Sequence, residues 1–400
     1  MSKTAPADTR WPSRAAARGG LGALMGAKGL KAVVIEKADE KYQMEYANAD
    51  LFKAAATELN QLMIEKRKTY AFHNFGAVST LDATGRSGIL PVGNFSGEIM
   101  PGIADKVGAA PFLEKLASRG GCHKQSCQAG CVIQCSNVYN DKDSKYLTSG
   151  FEYETVALLG PNCRIDDLDA IAEMDRMCDD IGVDTIEMGT AIAVAMECGK
   201  LAWGDAAGAK TLLEEVRAGK AFGSILGNGC EAVGQALGAK RIPCVKHQAL
   251  SGYDPRNTKG SGITYATSPQ GADHTAGLTM GYTTFGDLPR ATALYVSNKL
   301  QVAIAFSDSM MCLFAFSLVS SRLDLLLKMY MGIYGGAADI TRITIGLGVK
   351  TLLTERAFNQ LNGFTAADDR LPAFLCEEQN LASGEVFDVN PLEMDTIFNF

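Results

Sequence analysis

The chain has 400 residues, 47% of them hydrophobic and 21% charged, with 42 glycines, 11 cysteines and a formal net charge of -7. That length exceeds a single small core and fits roughly two domains of about 100–200 residues each. The acidic balance excludes nucleic acid and anionic membrane as natural partners, and an odd cysteine count in so long a chain excludes a small secreted disulfide scaffold, so a reducing, cytoplasmic setting is expected.

At the N-terminus, "MSKTAPADTRWPSRAAARGG" carries Arg10, Arg14 and Arg18 among small residues but lacks the apolar run of a secretory signal. Residues 18–37, "RGGLGALMGAKGLKAVVIEK", join a glycine-rich run to a β-branched segment, Ala32 to Ile35, that reads as one buried strand. The glycines precede that strand, the reverse of the order in a dinucleotide-binding loop. From about residue 38 helices dominate. Apolar spacing predicts a helix within "ANADLFKAAATELNQLMIEKRKTYAF", and Gly/Pro punctuation from 82 to 102 predicts an extended loop. Residues 164–182, "RIDDLDAIAEMDRMCDDIG", open on an Asp-rich turn that suits the positive end of a helix and stop at Gly182, a fitting C-terminal cap. Asp184 and Glu187 are then spaced as a capping box for a second helix running through "MGTAIAVAMECGKLAW". Further helices are expected at 208–219, 230–238, 289–306 and 320–331. The polar "SGYDPRNTKGSG" is the clearest break and places a domain boundary near residue 255. The most apolar stretch, Leu300 to Ser321, carries Asp308 near its centre, which makes a membrane span costly and predicts a buried helix with a functional carboxylate.

Chemistry concentrates first in "CHKQSCQAGCVIQCS", residues 122–136. Cys127, Cys131 and Cys135 lie four apart, with Cys122 five further upstream. Three thiolates that close, on a stretch interrupted by Gly130, can face one metal centre, and soft ligands select an iron-sulfur cluster or zinc over hard cations. The same spacing is also one face of a helix, where cysteines are ordinary small core residues. If the metal is zinc, His123 would complete a three-cysteine site.

Six segments in order, "RGGLGALMGAKGLKAVVI", "CQAGCVIQC", "FEYET", "CDDIGVDTIEMG", "SGYDPRNTKGSGITYATSPQGADH" and "DSMMCLF", resemble the aldehyde ferredoxin oxidoreductase family of tungsten or molybdenum pterin enzymes over nearly the whole chain. The resemblance implies a mostly α fold: a remnant of a β-rich pterin-cradling domain at 1–44, a helical domain at 45–255 with the cysteine cluster, and a second helical domain at 256–400. It implies a four-iron four-sulfur (4Fe-4S) cluster on Cys127, Cys131 and Cys135, since "CVIQC" is similar to the family's Cys-Pro-Ile-x-Cys pair, with Cys312 as the distant fourth ligand and Cys122 a spare thiol. The spacing departs from the family's two and three intervening residues.

The resemblance further implies a tungsten or molybdenum bis-pterin held by two acidic motifs. Asp179, Gly182 and Asp184 match the first fully. In the second, Asp308 stands four rather than five residues before Cys312, with Met311 where a glycine is usual. Arg18, Gly19 and Gly20 would meet a pterin phosphate, and Glu154, Glu173 and His274 would handle protons. Taken singly, these residues read as helix caps, surface charges and a structural histidine. The implied activity is oxidation of an aldehyde to a carboxylic acid, with electrons leaving through the cluster to ferredoxin; a homo-oligomer is compatible with it. The chain reads as an N-terminally truncated member, expected to show little activity as a fragment. The alternative is a non-catalytic helical protein that binds zinc or a cluster for structure or electron relay.

Overall fold

The computed structural model describes residues 15, 17–36, 39, 42–128, 130–280, 290–308, 311–337 and 339–400. Arg10, Arg14 and the centre of "DSMMCLF", Ser309 and Met310, lie outside these described residues.

Helices begin where short polar side chains can cap them. Asn48 accepts the Leu51 amide and opens the helix Ala49–Lys66; Asp167 accepts the Asp169 amide and opens Leu168–Ile181. Thr185–Glu197 follows at once, and then Ala206–Arg217, Cys230–Leu237, Arg290–Ser307 and Leu323–Tyr334 stand close to the expected positions. Several helices escape the sequence reading, among them Ala109–Ser118, Tyr153–Leu159, Lys259–Thr267 and Ile340–Leu361. Lys259–Thr267 is short and rich in glycine and threonine. Ile340–Leu361 opens on isoleucines, threonines and two glycines, all of low helical propensity, and is nevertheless 22 residues long. Packing overrides propensity here: a Cβ on Gly348 would stand 2.2 Å from the Val302 carbonyl, so the bare glycine lets this helix press onto Arg290–Ser307.

Strands are few. Cys122–Gln125 (β1), Ser136–Asn140 (β2) and Tyr146–Ser149 (β3) form an antiparallel sheet in the order β1-β2-β3, with Val138 opposite both Cys122 and Ser149. Cys244–Val245 (β4) and Gln248–Ala249 (β5) make a two-residue-turn hairpin. The strand expected at Ala32 to Ile35 does not form. Val34 and Ile35 are 82% and 90% exposed, because no strand among the described residues lies beside them to share its hydrogen bonds.

Three apolar clusters hold the helices together. One draws on Val78 to Tyr253, centred on Tyr153–Leu159 against Thr185–Glu197. A second joins Ile263 to Phe398 with Phe95, Leu158 and Leu250. A third packs Ala49–Lys66 on Leu323–Tyr334 and includes Ile133 and Cys135. Between the first two runs "SGYDPRNTKG", read above as a break in the chain, and it is buried. Arg256 is 0% exposed, donating from Nε to Asp254 Oδ1 (2.9 Å) and from Nη2 to the Phe95 carbonyl (2.6 Å). The segment's polar composition is compatible with burial because Asp254, Arg256, Asn257, Thr258 and Lys259 find partners inside the protein. No described helix is long and apolar enough to cross a membrane.

Candidate functional site

Helix Leu168–Ile181 ends at Gly182, whose φ of 90° turns the chain directly into the next helix. That turn delivers Asp184 as the N-cap of Thr185–Glu197, accepting the Ile186 and Glu187 amides at 3.3 and 3.1 Å. Across from it, Arg18 donates to Ser251 Oγ (3.0 Å) and to the Ala249 carbonyl (2.5 Å), and its Nε stands 3.4 Å from Asp184 Oδ2. Ser251 Oγ meets His274 Nδ1 at 2.9 Å, and His274 Nε2 faces Glu154 Oε1 at 3.2 Å. The Gly252 amide donates to the other Glu154 oxygen at 2.6 Å. Arg18, Asp184, His274 and Glu154 therefore belong to one connected polar cluster, although they come from distant parts of the chain.

Burial sets the electrostatics of this cluster. Loss of solvent pushes the Glu154 carboxyl above its ordinary pKa, a rise that the imidazole, the Gly252 amide and Arg18 oppose. Tyr153, Tyr253 and Tyr265 close around it, their phenols raised chiefly by burial, so they remain neutral.

A cavity of about 390 Å³ opens beside Arg18, lined also by Gly19, Gly20, Asp184, Glu187 and Gln248. Gly19 and Gly20 both have positive φ, which bares their backbone to it. Glu187 does not complete the expected capping box. Its carboxylate instead accepts the Cys230 and Ala249 amides at 2.8 and 2.9 Å and ties the hairpin to helix Cys230–Leu237. At the hairpin tip, Lys246 and His247 take φ of 49° and 63°, the left-handed pair a two-residue turn demands. Neither is glycine, so the turn stores roughly 1–3 kcal/mol at each. Lys246 holds it in place: its buried ammonium reaches Asp369 and the Ala266 carbonyl, each at 2.6 Å.

A second cavity, about 510 Å³, is lined by Asp273, Gln301, Asp308 and Glu355 and shares Gln270 with the first. Asp308 follows helix Arg290–Ser307 rather than lying within it; desolvation by the cavity wall, then the Asp273 carboxylate, push its pKa up to about 6. Asp179 lies half-buried on the last turn before Gly182. Glu173 is not brought to either cavity: it faces solvent and pairs with Lys210 at 2.6 Å.

The cysteines approach one another through their surroundings. Cys122 is exposed on β1, whereas Cys127, Cys131 and Cys135 lie on the loop between β1 and β2. Cys135 is buried in the third apolar cluster, against which Cys131, Met311 and Leu313 also pack. Cys312 is exposed and opens the helix Leu313–Val319. Between the two segments stands Tyr70, whose pKa is raised to about 12 by burial and then by Cys135 and Cys312. The donor chemistry suits a thiolate-held cluster and the segments meet, while among the described residues no three ligating side chains already stand together.

Sequence reasoning misses Glu187, Ser251, Gln248 and Tyr70. For Glu187 the capping spacing points to the wrong partner; Ser251 opens a family-like segment without a role attached to it, and Gln248 and Tyr70 carry no local signal.

The family model described as aldehyde ferredoxin oxidoreductase, domains 2 and 3, matches residues 54–396. The chain belongs to the aldehyde ferredoxin oxidoreductase family. Among curated relatives, the tungsten-containing aldehyde ferredoxin oxidoreductase of Pyrococcus furiosus is 29% identical over 391 residues, covering 91% of this chain and 62% of the relative. That of Thermococcus kodakarensis is 28% identical, with the same coverage of both chains. This family member thus spans 62% of the length of the relatives it matches.

Proposed function

We propose that the chain is the pterin- and cluster-binding part of an enzyme that oxidises an aldehyde to a carboxylic acid and passes the electrons to ferredoxin. The observation that carries this reading is the convergence of Arg18, Asp184, Glu154 and His274 on one buried cluster beside a cavity. In this reading residues 45–255 and 256–400 are two helical domains and 1–44 a remnant of the pterin-cradling one. Arg18, Gly19 and Gly20 would meet a phosphate, and Asp179, Gly182, Asp184 and Asp308 the pterin rings. Cys127, Cys131, Cys135 and Cys312 would hold a 4Fe-4S cluster.

The pterin-bound metal, tungsten in the relatives, supplies the two-electron chemistry when present. The protein's own part is proton handling. Oxidation of an aldehyde with water releases two electrons and two protons besides the acid. In this reading Glu154 and His274, with Oε1 and Nε2 3.2 Å apart, would share one of those protons, while the Gly252 amide and Ser251 hold the other oxygen and the other ring nitrogen. Burial raises the Glu154 carboxyl above its ordinary pKa, which favours its taking up a proton. Glu173 has no contact with this pair, and its proposed part in proton handling is the one the geometry supports least.

Anaerobic purification followed by iron, sulfide, tungsten, molybdenum and zinc analysis tests the proposal. Iron and sulfide with tungsten or molybdenum are expected; zinc alone would sink the redox reading. In the Cys312→Ser variant the iron content should fall, and full retention would remove Cys312 from the ligand set.

A further inference from the structure

Gln248 is 7% exposed and lines the cavity beside Arg18. Its Oε1 accepts the Gly19 amide at 3.3 Å and Gln270 Nε2 at 3.2 Å. A main-chain N–H can only donate, so the atom that faces Gly19 must be the oxygen, and the orientation of the Gln248 amide is settled by that contact. Its Nε2 is then left buried without any hydrogen-bond partner. A donor stripped of water and left unmatched is unfavourable, and native proteins keep few of them. This one is held in place deliberately: β5 places it, the left-handed Lys246–His247 turn fixes β5, and the buried Lys246–Asp369 pair fixes the turn.

We infer that Gln248 is a ligand-recognising residue whose Nε2 donates to a carbonyl oxygen of the ring that occupies this cavity. Asp184 lines the same cavity and is an acceptor, so the cavity offers a donor and an acceptor. Their complement is a ring edge that offers a carbonyl next to an N–H, the lactam edge of a 2-amino-4-oxo-pyrimidine unit. Arg18 adds a cation for a phosphate carried by the same molecule. Gln270, bonded to Gln248, secures the amide from the side of the second cavity.

The inference rests on the function proposed above, and its test separates the two. The chain and its variants are purified anaerobically from cells that make the pterin, and pterin is released, oxidised and quantified by fluorescence per mole of protein, with melting temperature recorded alongside. Gln248→Glu keeps the acceptor for Gly19 but removes the donor and adds a negative charge. It should lower pterin content about tenfold, the change that loss of one buried hydrogen bond brings. Gln248→Met, which is uncharged and close in volume, should lower it too and decides the matter if the glutamate variant fails to fold. Retention of pterin by both Gln248 variants, while Arg18→Ala and Asp184→Asn lose it, would overturn the role of Gln248 and leave the proposed function standing. Full retention in all four variants, or none in the parent chain, would overturn the reading of the cavity and this inference with it.

Discussion

Single residues in this protein carry charge where solvent is scarce, and pH reports on them. Asp308 has its pKa raised from 3.8 to about 6, so the folded chain holds that proton more tightly than the unfolded one. The contribution to stability is full below pH 3.8 and is lost as pH rises through about 6. Asp308→Asn should therefore narrow the fall in melting temperature between pH 4 and pH 7, by about a degree or two because solvent screens an exposed carboxylate. An unchanged difference would show that neither burial nor Asp273 raises it. Asp169 behaves oppositely. Arg119 at 2.5 Å, with Lys115 and Tyr139, holds it well below the usual carboxylate range, so its stabilisation is present at neutral pH and disappears in acid.

At the scale of elements, one side chain often serves both the helix and the site, and substitutions can pull the two apart. Asp184 caps Thr185–Glu197 and faces Arg18. Asparagine caps as well as aspartate, so Asp184→Asn should leave thermal stability nearly unchanged while lowering pterin content, whereas Asp184→Ala should also lose about 1 kcal/mol in denaturant unfolding. Equal stability of the two variants would mean the cap contributes nothing. Helix Leu168–Ile181 was legible because its start, its apolar face and its glycine stop all lie in one short window. Helix Ile340–Leu361 was not, since it presses Gly348 close onto Val302, a contact no local pattern records. The same limit applies to the site. Arg18, Asp184, Glu154 and His274 were reached through family-like motifs, but Gln248 matters because of what its amide lacks, which only the three-dimensional arrangement reveals.

Over the whole molecule, the buried polar segment around Arg256 joins parts far apart in sequence. Its guanidinium spans Asp254, the Phe95 carbonyl and the Glu378 carbonyl at 3.1 Å. Arg256→Met should cost about 3–5 kcal/mol in equilibrium unfolding, because Asp254 would stay buried with its charge uncompensated. A loss below 1 kcal/mol would mean that water reaches the segment. Sequence composition places a domain boundary near this segment, and its partners fasten the first and second apolar clusters there. Gln270 links the molecule in another way, as a wall shared by two cavities. A wall that moves for one occupant is already moved for the other. If a ligand in one cavity changes the affinity of the other through Gln270, the second ligand must change the affinity of the first by the same factor. Communication between the two cavities would then run through this one amide.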